Sequence, residues 1–266
     1  MSASPALSVR NLSVYVREDG MERSVVDGIS FDLAAGEVLA LVGESGCGKS
    51  KTAEAIMGLV SGAAGRVRAD AIGLGDLDLA ALGERGLQKI RGCEISMVFQ
   101  EPLTALDPVF SNGYQLATQY RRHRGQSRKQ SRDSAREMLR RVGFPDPDRI
   151  MRSYPHQLSG GMRQRLVIAM AMACKPRVLV ADEPSTALDV TTQAQVLSQM
   201  IRMARDTGTA ILLITHDLGV VAQYCDRALV MRRGQLVEDA AVTRLFSNPK
   251  HEYTSALVSA AREMRL

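Results

Sequence analysis

The chain has 266 residues, of which 45% are apolar and 24% are charged, and it carries a formal net charge of +5 at pH 7. This composition is typical of a globular protein with one large domain or two modest ones. It excludes a helical membrane-spanning protein, because no stretch approaches the roughly 18–20 uninterrupted apolar residues of a membrane span. The first residues have neither a basic start nor an apolar core, so we expect no signal peptide and a cytosolic protein.

Alternating and compact apolar runs predict a mixed α/β chain. The first half is predicted to contain strands at 7–16, 25–33 and 38–42, turns at 19–20 and 35–36, a helix at 52–59 and further β-like segments up to 95–99. The second half is predicted to contain helices with proline breaks over 101–157, helices at 162–174 and 191–205, buried strands at 178–181 and 210–214, a further short helix, a hairpin around 233–234 and a closing helix at 253–264. Because β and α units alternate, we expect a parallel-sheet core with helices on both faces.

The most informative run is Gly-Glu-Ser-Gly-Cys-Gly-Lys-Ser, from Gly43 to Ser50. It fits the phosphate-loop pattern, and it lies between a predicted strand and a predicted helix, as that pattern requires. Glycines let the backbone turn tightly and bring its N–H groups against phosphate oxygens, and the helix N-terminus adds positive potential. Lys49 can reach the outer phosphates, and Ser50 can offer its hydroxyl to Mg²⁺. The loop predicts nucleotide hydrolysis or nucleotide-gated switching rather than a ligand-free turn.

Polar residues follow three of the predicted buried strands. Asp182 and Glu183 end one strand, where one carboxylate can hold Mg²⁺ through water and the next can orient or deprotonate the attacking water. His216 ends a neighbouring strand and can contact a terminal phosphate or that water. Gln100 follows the strand at 95–99, and its amide oxygen can ligate Mg²⁺. A solvated turn and a structural histidine are the alternatives, which the phosphate loop disfavours.

The run Ser159-Gly160-Gly161 opens a long predicted helix and makes a second anion-binding helix end. One nucleotide does not need two such ends, and with this run the chain resembles the ATP-binding cassette (ABC) ATPases. The resemblance implies that Gly43 to Ser50 is the Walker A loop, Gln100 the Q-loop glutamine, Ser159 to Gly161 the signature motif, Asp182 the Walker B aspartate, Glu183 the general base, Ser185 to Asp189 the D-loop and His216 the switch histidine.

The resemblance also implies a fold, a set of ligands and a site. The fold class is an α/β P-loop NTPase core with an antiparallel β subdomain and an inserted α-helical subdomain, in one nucleotide-binding domain of which 1–100 and 175–266 form the core and 101–174 the helical part. ATP and Mg²⁺ are the implied ligands. The implied catalytic residues are Glu183, His216, Lys49 and Gln100, and the implied metal ligands are Ser50, Gln100 and Asp182. The implied nucleotide-binding residues are Gly43, Glu44, Ser45, Gly46, Cys47, Gly48, Lys49, Ser50, Lys51, Ser159, Gly160, Gly161 and, for adenine stacking, Tyr15, with Val16 as the alternative.

Three further segments, 99–108, 154–157 and 248–254, resemble the ATPase subunits of bacterial dipeptide, oligopeptide and nickel importers. The resemblance implies an ATP-hydrolysing subunit at the cytoplasmic face of the cell membrane. Its implied partners are a second, paralogous ABC ATPase, two transmembrane permease subunits and a periplasmic or lipid-anchored solute-binding protein. No clustered cysteines follow near the C-terminus, so no metal–sulfur centre is expected. The alternatives are a soluble ABC ATPase in DNA repair or translation and a nucleotide-binding regulator without turnover.

A dense group of basic residues lies between Arg121 and Arg141. Nucleic acid or a membrane surface is one candidate partner for such a group. However, Ala135, Met138 and Leu139 follow helical spacing, so the arginines are better explained as the solvated face of an amphipathic helix. Aromatic residues are not interleaved with the basic ones, and no nucleic-acid partner is expected.

The four cysteines, Cys47, Cys93, Cys174 and Cys225, have neither the spacing of a metal site nor the density of a disulfide scaffold. We expect reduced, mostly buried thiols. Cys47 differs, because a helix N-terminus is expected to lower its thiol pKa and make it more open to alkylation or oxidation.

Overall fold

The computed structural model of the protein describes residues 4–18, 21–60, 65–185 and 188–263. The chain forms two compact units, Met1–Leu87 with Ala210–Leu266, and Gln88–Thr209. Its strands are β1 (Leu7–Glu18), β2 (Met21–Leu33), β3 (Val38–Val42), β4 (Gly65–Arg68), β5 (Ala71–Leu74), β6 (Leu77–Asp78), β7 (Ile95–Val98), β8 (Val178–Asp182), β9 (Ala210–Ile214), β10 (Arg227–Arg232) and β11 (Gln235–Ala241). Its α-helices are α1 (Lys49–Ile56), α2 (Glu84–Ile90), α3 (Asn112–Arg124), α4 (Arg128–Arg141), α5 (Pro147–Arg152), α6 (Gly160–Met172), α7 (Val190–Thr207), α8 (Leu218–Tyr224), α9 (Val242–Ser247) and α10 (Glu252–Glu263). Within the described ranges, no helix combines the length and the apolar character that crossing a bilayer requires.

The first unit begins with an antiparallel sheet built around β1. This strand pairs with β2, and also with β4 and β5. The side chains of Val9 and Leu12 are both buried although their spacing is odd, because Asn11 between them has a positive φ of 51° and the register shifts there. The predicted antiparallel strands are confirmed, while the predicted turn at 19–20 lies outside the described residues.

The first unit also contains the strand that precedes the phosphate-loop pattern. β3 lies between β10 and β9 and is parallel to both, and β11 adds an antiparallel edge. Every residue of β3 and β9 is buried, which explains why these two segments are continuous apolar runs rather than alternating ones. Leu41 lies opposite Ile214. The chain therefore leaves β3 and β9 at the same edge of this unit.

The second unit combines the parallel pair β7 and β8 with most of the long helices. In that pair Val98 lies opposite Ala181. Helix α4 buries Ala135, Met138 and Leu139, while Arg132 and Arg140 are exposed. The prediction that the basic residues occupy the solvated face of an amphipathic helix is confirmed for α4.

Two helices differ from the sequence-based expectation. Helix α1 begins at Lys49 rather than at Thr52, because Gly48 in the left-handed region is its first capping position and no side chain caps it. Helix α2 was not predicted, since 84–90 is short and contains a glycine.

Candidate active site

The loop that follows β3 is shaped by two tightly enclosed glycines. Gly43 and Gly48 both have positive φ angles, 156° and 112°. A Cβ atom on Gly43 would lie 2.1 Å from the carbonyl oxygen of Met231, and one on Gly48 would lie 2.4 Å from that of Val25. The backbone can pass this close to its neighbours only without side chains. The loop thus turns as the phosphate-loop pattern predicts, and it leads directly into α1 at Lys49.

The side chain of Lys49 folds back across this loop. It is buried, and its ammonium group donates hydrogen bonds to the carbonyl oxygens of Gly43 and Glu44, both at 2.8 Å. The first turn of α1 carries no acidic residue, and no side chain caps its first N–H groups. A buried ammonium beside an uncapped helix N-terminus favours the binding of an anion.

Replacing Gly43 by alanine should destabilise the protein more than the same change at Gly46. Both glycines have positive φ, but only the Cβ at position 43 would overlap a backbone carbonyl, since nothing lies within 4 Å of the Cβ position at Gly46. We expect the free energy of unfolding to fall by about 3 kcal/mol for Gly43→Ala and by about 1 kcal/mol for Gly46→Ala. Denaturant unfolding of both variants measures this, and equal losses would contradict the packing described for the loop.

The prediction for the thiol of Cys47 is wrong. Burial raises the pKa of Cys47, and this outweighs the opposing effect of the nearby Lys49 ammonium. The sequence shows that Cys47 lies next to a helix N-terminus, but it does not show that the thiol is buried. At neutral pH the thiol therefore stays protonated and is a poor nucleophile. Cys174 is also buried, whereas Cys93 and Cys225 are partly exposed.

His216 lies at the same edge of the first unit as the phosphate loop. This follows because β3 and β9 are parallel neighbours. The N–H of Thr215 continues their pairing by donating a hydrogen bond to the carbonyl oxygen of Leu41 at 3.3 Å. His216 is exposed at this edge. The sequence-based expectation that a polar residue follows a buried strand here is confirmed, while the catalytic role of His216 stays a prediction.

In the second unit, the ends of β7 and β8 bring Gln100 to Glu183. The amide nitrogen Nε2 of Gln100 donates a hydrogen bond to the carboxylate oxygen Oε2 of Glu183 at 3.4 Å. The amide oxygen of Gln100 can still accept a hydrogen bond or ligate a metal ion, because an amide donates through its nitrogen and accepts through its oxygen. Two residues with separate predicted roles are thus in direct contact.

Glu183 has a strained backbone. Its φ is 44°, which costs a non-glycine residue of the order of 1–3 kcal/mol, and it precedes Pro184. Asp182, the last residue of β8, is buried, whereas Glu183 is partly exposed. One carboxylate is therefore enclosed and the next is accessible to water, as a metal ligand and a base require. Of the predicted D-loop, Thr186 and Ala187 lie outside the described residues.

The run from Ser159 to Gly161 forms the start of α6. The Ser159 hydroxyl accepts a hydrogen bond from the N–H of Met162 at 3.3 Å, which makes it the N-cap, and its own proton remains available to a further acceptor. A Cβ on Gly161 would lie 2.6 Å from the methyl carbon of Thr192. Ser159 and Gly160 are exposed. This helix end therefore presents its hydroxyl and N–H groups to the solvent.

Tyr15 is half-buried on β1 and already has cationic neighbours. The guanidinium carbon of Arg66 lies 4.8 Å from the centroid of its ring, and that of Arg68 lies 5.9 Å away. These distances are typical of cation–π contacts. The stacking of adenine on Tyr15, or its contact with Val16 instead, stays a prediction.

Sequence reasoning missed one contact with the phosphate loop. The N–H of Glu44 donates a hydrogen bond to the hydroxyl of Tyr253 at 3.0 Å. In the sequence, Tyr253 is one apolar position of the closing amphipathic helix, and helical spacing gives no signal for a contact with a distant loop.

The fold and these residues define a phosphate-loop nucleotide hydrolase with a second exposed helix N-terminus. Residues 26–186 match the family model described as ABC transporter. The oligopeptide transport ATP-binding protein AppD of Bacillus subtilis is 49% identical over 96% of this chain and 78% of that protein. The dipeptide transport ATP-binding protein DppD of the same organism is 47% identical over 98% of this chain and 78% of that protein.

A solved structure supports the same assignment. It is the dimeric structure of an ATP-binding cassette in a post-hydrolysis state bound to ADP and Pi. The cassette is 25% identical to this chain with a TM-score of 0.76, over 89% of this chain and 98% of that one. The chain belongs to the ABC transporter family and is an ABC-type ATPase. The predicted family and fold class are confirmed.

Proposed function

We propose that the chain is the ATP-hydrolysing subunit of a bacterial importer for dipeptides or oligopeptides. The observation that carries this proposal is the identity of 49% and 47% to two peptide-transport ATP-binding proteins over nearly the whole chain. Peptides are favoured over nickel chelates, the other cargo that the sequence motifs allow, because both of these relatives are named for peptide transport. The same names favour a transport subunit over an ATPase of DNA repair or translation.

In this proposal, the phosphate loop and Lys49 bind the nucleotide. The backbone N–H groups at the start of α1 and the Lys49 ammonium balance the charge of the outer phosphates. The carbonyl oxygens of Gly43 and Glu44 hold that ammonium at the loop. The Lys49 side chain is therefore already ordered, and ATP binding would cost little of its conformational entropy.

Glu183 is the proposed general base. Its carboxylate would take a proton from the attacking water, and the Gln100 amide that touches it would fix its orientation. His216 would donate a hydrogen bond to the γ-phosphate or orient the same water. The strained backbone of Glu183 supports this role, because strain of this kind is often found where a side chain must be held for chemistry.

Ser50, Gln100 and Asp182 are the proposed ligands of Mg²⁺. Their hydroxyl, amide and carboxylate oxygens make an oxygen-only donor set, which is the set that this hard cation prefers, and the buried Asp182 supplies its negative charge. When bound, Mg²⁺ would neutralise charge on the phosphate oxygens.

A complete site in this proposal needs a second cassette. Its Ser159 to Gly161 would close over the phosphate loop of the first, because one nucleotide has no use for two anion-binding helix ends on the same chain. The exposure of Ser159 and Gly160 supports such a contact. The dimeric state of the solved relative supports it as well. The second cassette would be a paralogous subunit or another copy of this chain.

An exposed apolar surface in the second unit is the proposed contact with the permease. This permease patch consists of Leu103, Val109, Phe110 and Tyr114, and the side chains are between 44% and 75% exposed. The rings of Phe110 and Tyr114 stack at 4.9 Å. Apolar residues concentrated within twelve positions are typical of a protein interface rather than of ordinary surface.

A cavity of about 450 Å³ adjoins this patch and carries positive charge. Its lining includes Tyr114 together with Arg121, Arg128 and Arg132. A permease segment with apolar side chains and an acidic residue would complement both features. Two permease subunits and a periplasmic or lipid-anchored solute-binding protein would complete the importer, with this chain at the cytoplasmic face of the cell membrane and the helical segment 101–174 passing movement to the permease.

The Phe110→Asp variant tests the proposed function and its partner together. In cells that lack their own copy of this chain, the unaltered protein should restore uptake of a labelled dipeptide or oligopeptide and should co-purify with membrane proteins. The variant should lose both by about tenfold or more, because a charge would be buried in the contact. Its basal ATP turnover should not change, since Phe110 stacks on Tyr114 and belongs to none of the nucleotide motifs.

The matched control is Leu77→Asp, because Leu77 is 43% exposed and Phe110 is 44% exposed, but Leu77 lies in the other unit. Its uptake should equal that of the unaltered protein. Failure of the unaltered protein to restore peptide uptake would overturn the cargo assignment. Full uptake by Phe110→Asp would overturn the assignment of the permease patch.

A further inference from the structure

Two elements of the C-terminal part of the chain make hydrogen bonds to the backbone of the phosphate loop. The N–H of Gly234, in the turn between β10 and β11, donates to the carbonyl oxygen of Cys47 at 2.9 Å. The hydroxyl of Tyr253, near the start of α10, accepts from the N–H of Glu44 at 3.0 Å. All of these residues belong to the first unit. Neither Gly234 nor Tyr253 has a role in the chemistry proposed above.

The peptide group between Gly43 and Glu44 joins Tyr253 to Lys49. Its N–H donates to the Tyr253 hydroxyl, and its carbonyl oxygen, that of Gly43, accepts from the Lys49 ammonium at 2.8 Å. A peptide group is planar, so its N–H and C=O turn together and a rotation of the plane would break both hydrogen bonds. Gly43 has no side chain to restrain this plane, so the hydrogen bonds at the N–H and at the carbonyl oxygen contribute to its orientation.

The Tyr253 ring is held firmly enough to supply that restraint. It is 7% exposed and belongs to a core cluster that includes Val42 at the end of β3 and Val258 of α10. The guanidinium carbon of Arg232 lies 4.9 Å from the ring centroid, within cation–π range. Burial raises the pKa of Tyr253, so its hydroxyl stays neutral at physiological pH.

Glu238 anchors the segment that carries Tyr253. Its carboxylate oxygens accept hydrogen bonds from the backbone N–H groups of Lys250 and His251, at 2.9 and 3.0 Å. These donors lie directly before α10, so the carboxylate of β11 fixes where the helix starts. β11 therefore helps to fix the position of Tyr253 independently of the phosphate loop.

We infer that Tyr253 is a positioning residue of the nucleotide site, which fixes the Gly43–Glu44 peptide plane and, through it, the Lys49 ammonium that faces the outer phosphates. This inference rests on the phosphate-binding role proposed for Lys49. It gives the C-terminal segment 248–254 a function in nucleotide affinity.

The test is the Tyr253→Phe variant, which removes one oxygen atom and keeps the ring in the core. Steady-state ATP hydrolysis by the whole 266-residue chain should show a KM for ATP raised about two- to tenfold, the factor expected for one neutral hydrogen bond. The value of kcat should change by less than about twofold, because saturating ATP orders the loop again. A purely structural role would instead lower kcat with the fraction of folded protein and leave KM unchanged. Hydrogen exchange of the Glu44 amide should also become faster.

The matched control is Tyr120→Phe, because Tyr120 is likewise 7% exposed but lies in the other unit. Its KM should not change. An unchanged KM for Tyr253→Phe would overturn the inference. If that variant proves unstable, Arg232→Gln keeps the hydroxyl and loosens the ring, and it should raise KM by a smaller factor; an unchanged KM there would also overturn it.

The Lys49→Ala variant separates this inference from the proposed function. If Lys49→Ala keeps normal turnover, the proposed role of the phosphate loop fails and the inference fails with it. If Lys49→Ala is inactive while Tyr253→Phe keeps the normal KM, only the inference is overturned.

Discussion

A Glu183→Gln variant is expected to lose ATP turnover by about a hundred- to ten-thousandfold while it still binds ATP. The change removes the basic oxygen and keeps the shape of the side chain. The new amide can still accept the hydrogen bond from Gln100, so the geometry of the contact is preserved. Because hydrolysis would no longer remove the γ-phosphate, two ATP-bound cassettes should stay associated. Phosphate release measures the turnover, and analytical ultracentrifugation with ATP measures the trapped dimer.

The control for this substitution is Glu94→Gln. Glu94 lies in the same unit, is also partly exposed and makes an ion pair with Arg177 at 3.3 Å, but it precedes β7, whereas Gln100 follows that strand. Its turnover should be normal. Normal turnover in Glu183→Gln would remove Glu183 from the role of the base. Normal turnover in this variant would also favour the alternative of a nucleotide-binding regulator, which requires no general base.

The Lys49→Ala variant is expected to weaken ATP binding by about ten- to a hundredfold and to stop both hydrolysis and transport. The factor corresponds to the loss of a charged hydrogen bond, about 1.5–3 kcal/mol. Lys49 is buried and its ammonium is held by two carbonyl oxygens of the loop, so alanine leaves the loop without this positive charge. Equilibrium binding of a fluorescent ATP analogue measures the affinity, and phosphate release measures the activity.

Lys89→Ala serves as the control, because Lys89 is exposed on α2 and belongs to none of the nucleotide motifs. Thermal unfolding of both variants should be recorded as well, since the carbonyl oxygens of Gly43 and Glu44 lose a buried donor in Lys49→Ala. ATP affinity that stays unchanged in a folded Lys49→Ala protein would contradict the assignment of the loop.

The strands next to the site could be predicted because their signals are local. The segments 38–42 and 210–214 are continuous apolar runs bounded by turn residues, and both strands have these bounds in the structure. Where a glycine interrupts the pattern, the boundary was missed. Gly48 disfavours a helix prediction at Lys49, where α1 starts, and Gly86 lowers the helix propensity of the short helix α2.

Properties that depend on tertiary packing could not be read from the sequence. The raised pKa of the Cys47 thiol results from burial, which a helix N-terminus argument does not contain. The contact between Gln100 and Glu183 and the contact between Glu44 and Tyr253 both join residues that are far apart in the chain. Residue types at motif positions predict which groups take part in the chemistry, but only the fold shows which groups touch them.

In the proposed function, the phosphate loop is half of a site. Lys49 would hold the nucleotide, and the exposed helix end at Ser159 would serve a nucleotide that a second cassette holds. Turnover should therefore depend on pairing. The dependence of ATP turnover on pairing is the central feature proposed for the protein. The phosphate loop by itself would predict a hydrolase that acts alone.

A mixing experiment tests that claim most directly. Lys49→Ala chains and Ser159→Arg chains should each be inactive alone, because each kind lacks one half of every paired site. When the two are mixed, each mixed pair contains one intact phosphate loop facing one intact Ser159. Random pairing should then restore roughly a quarter of the turnover that the unaltered chain shows at the same concentration. A mixture that stays inactive while the unaltered chain is active, or a Ser159→Arg chain that is fully active alone, would contradict it.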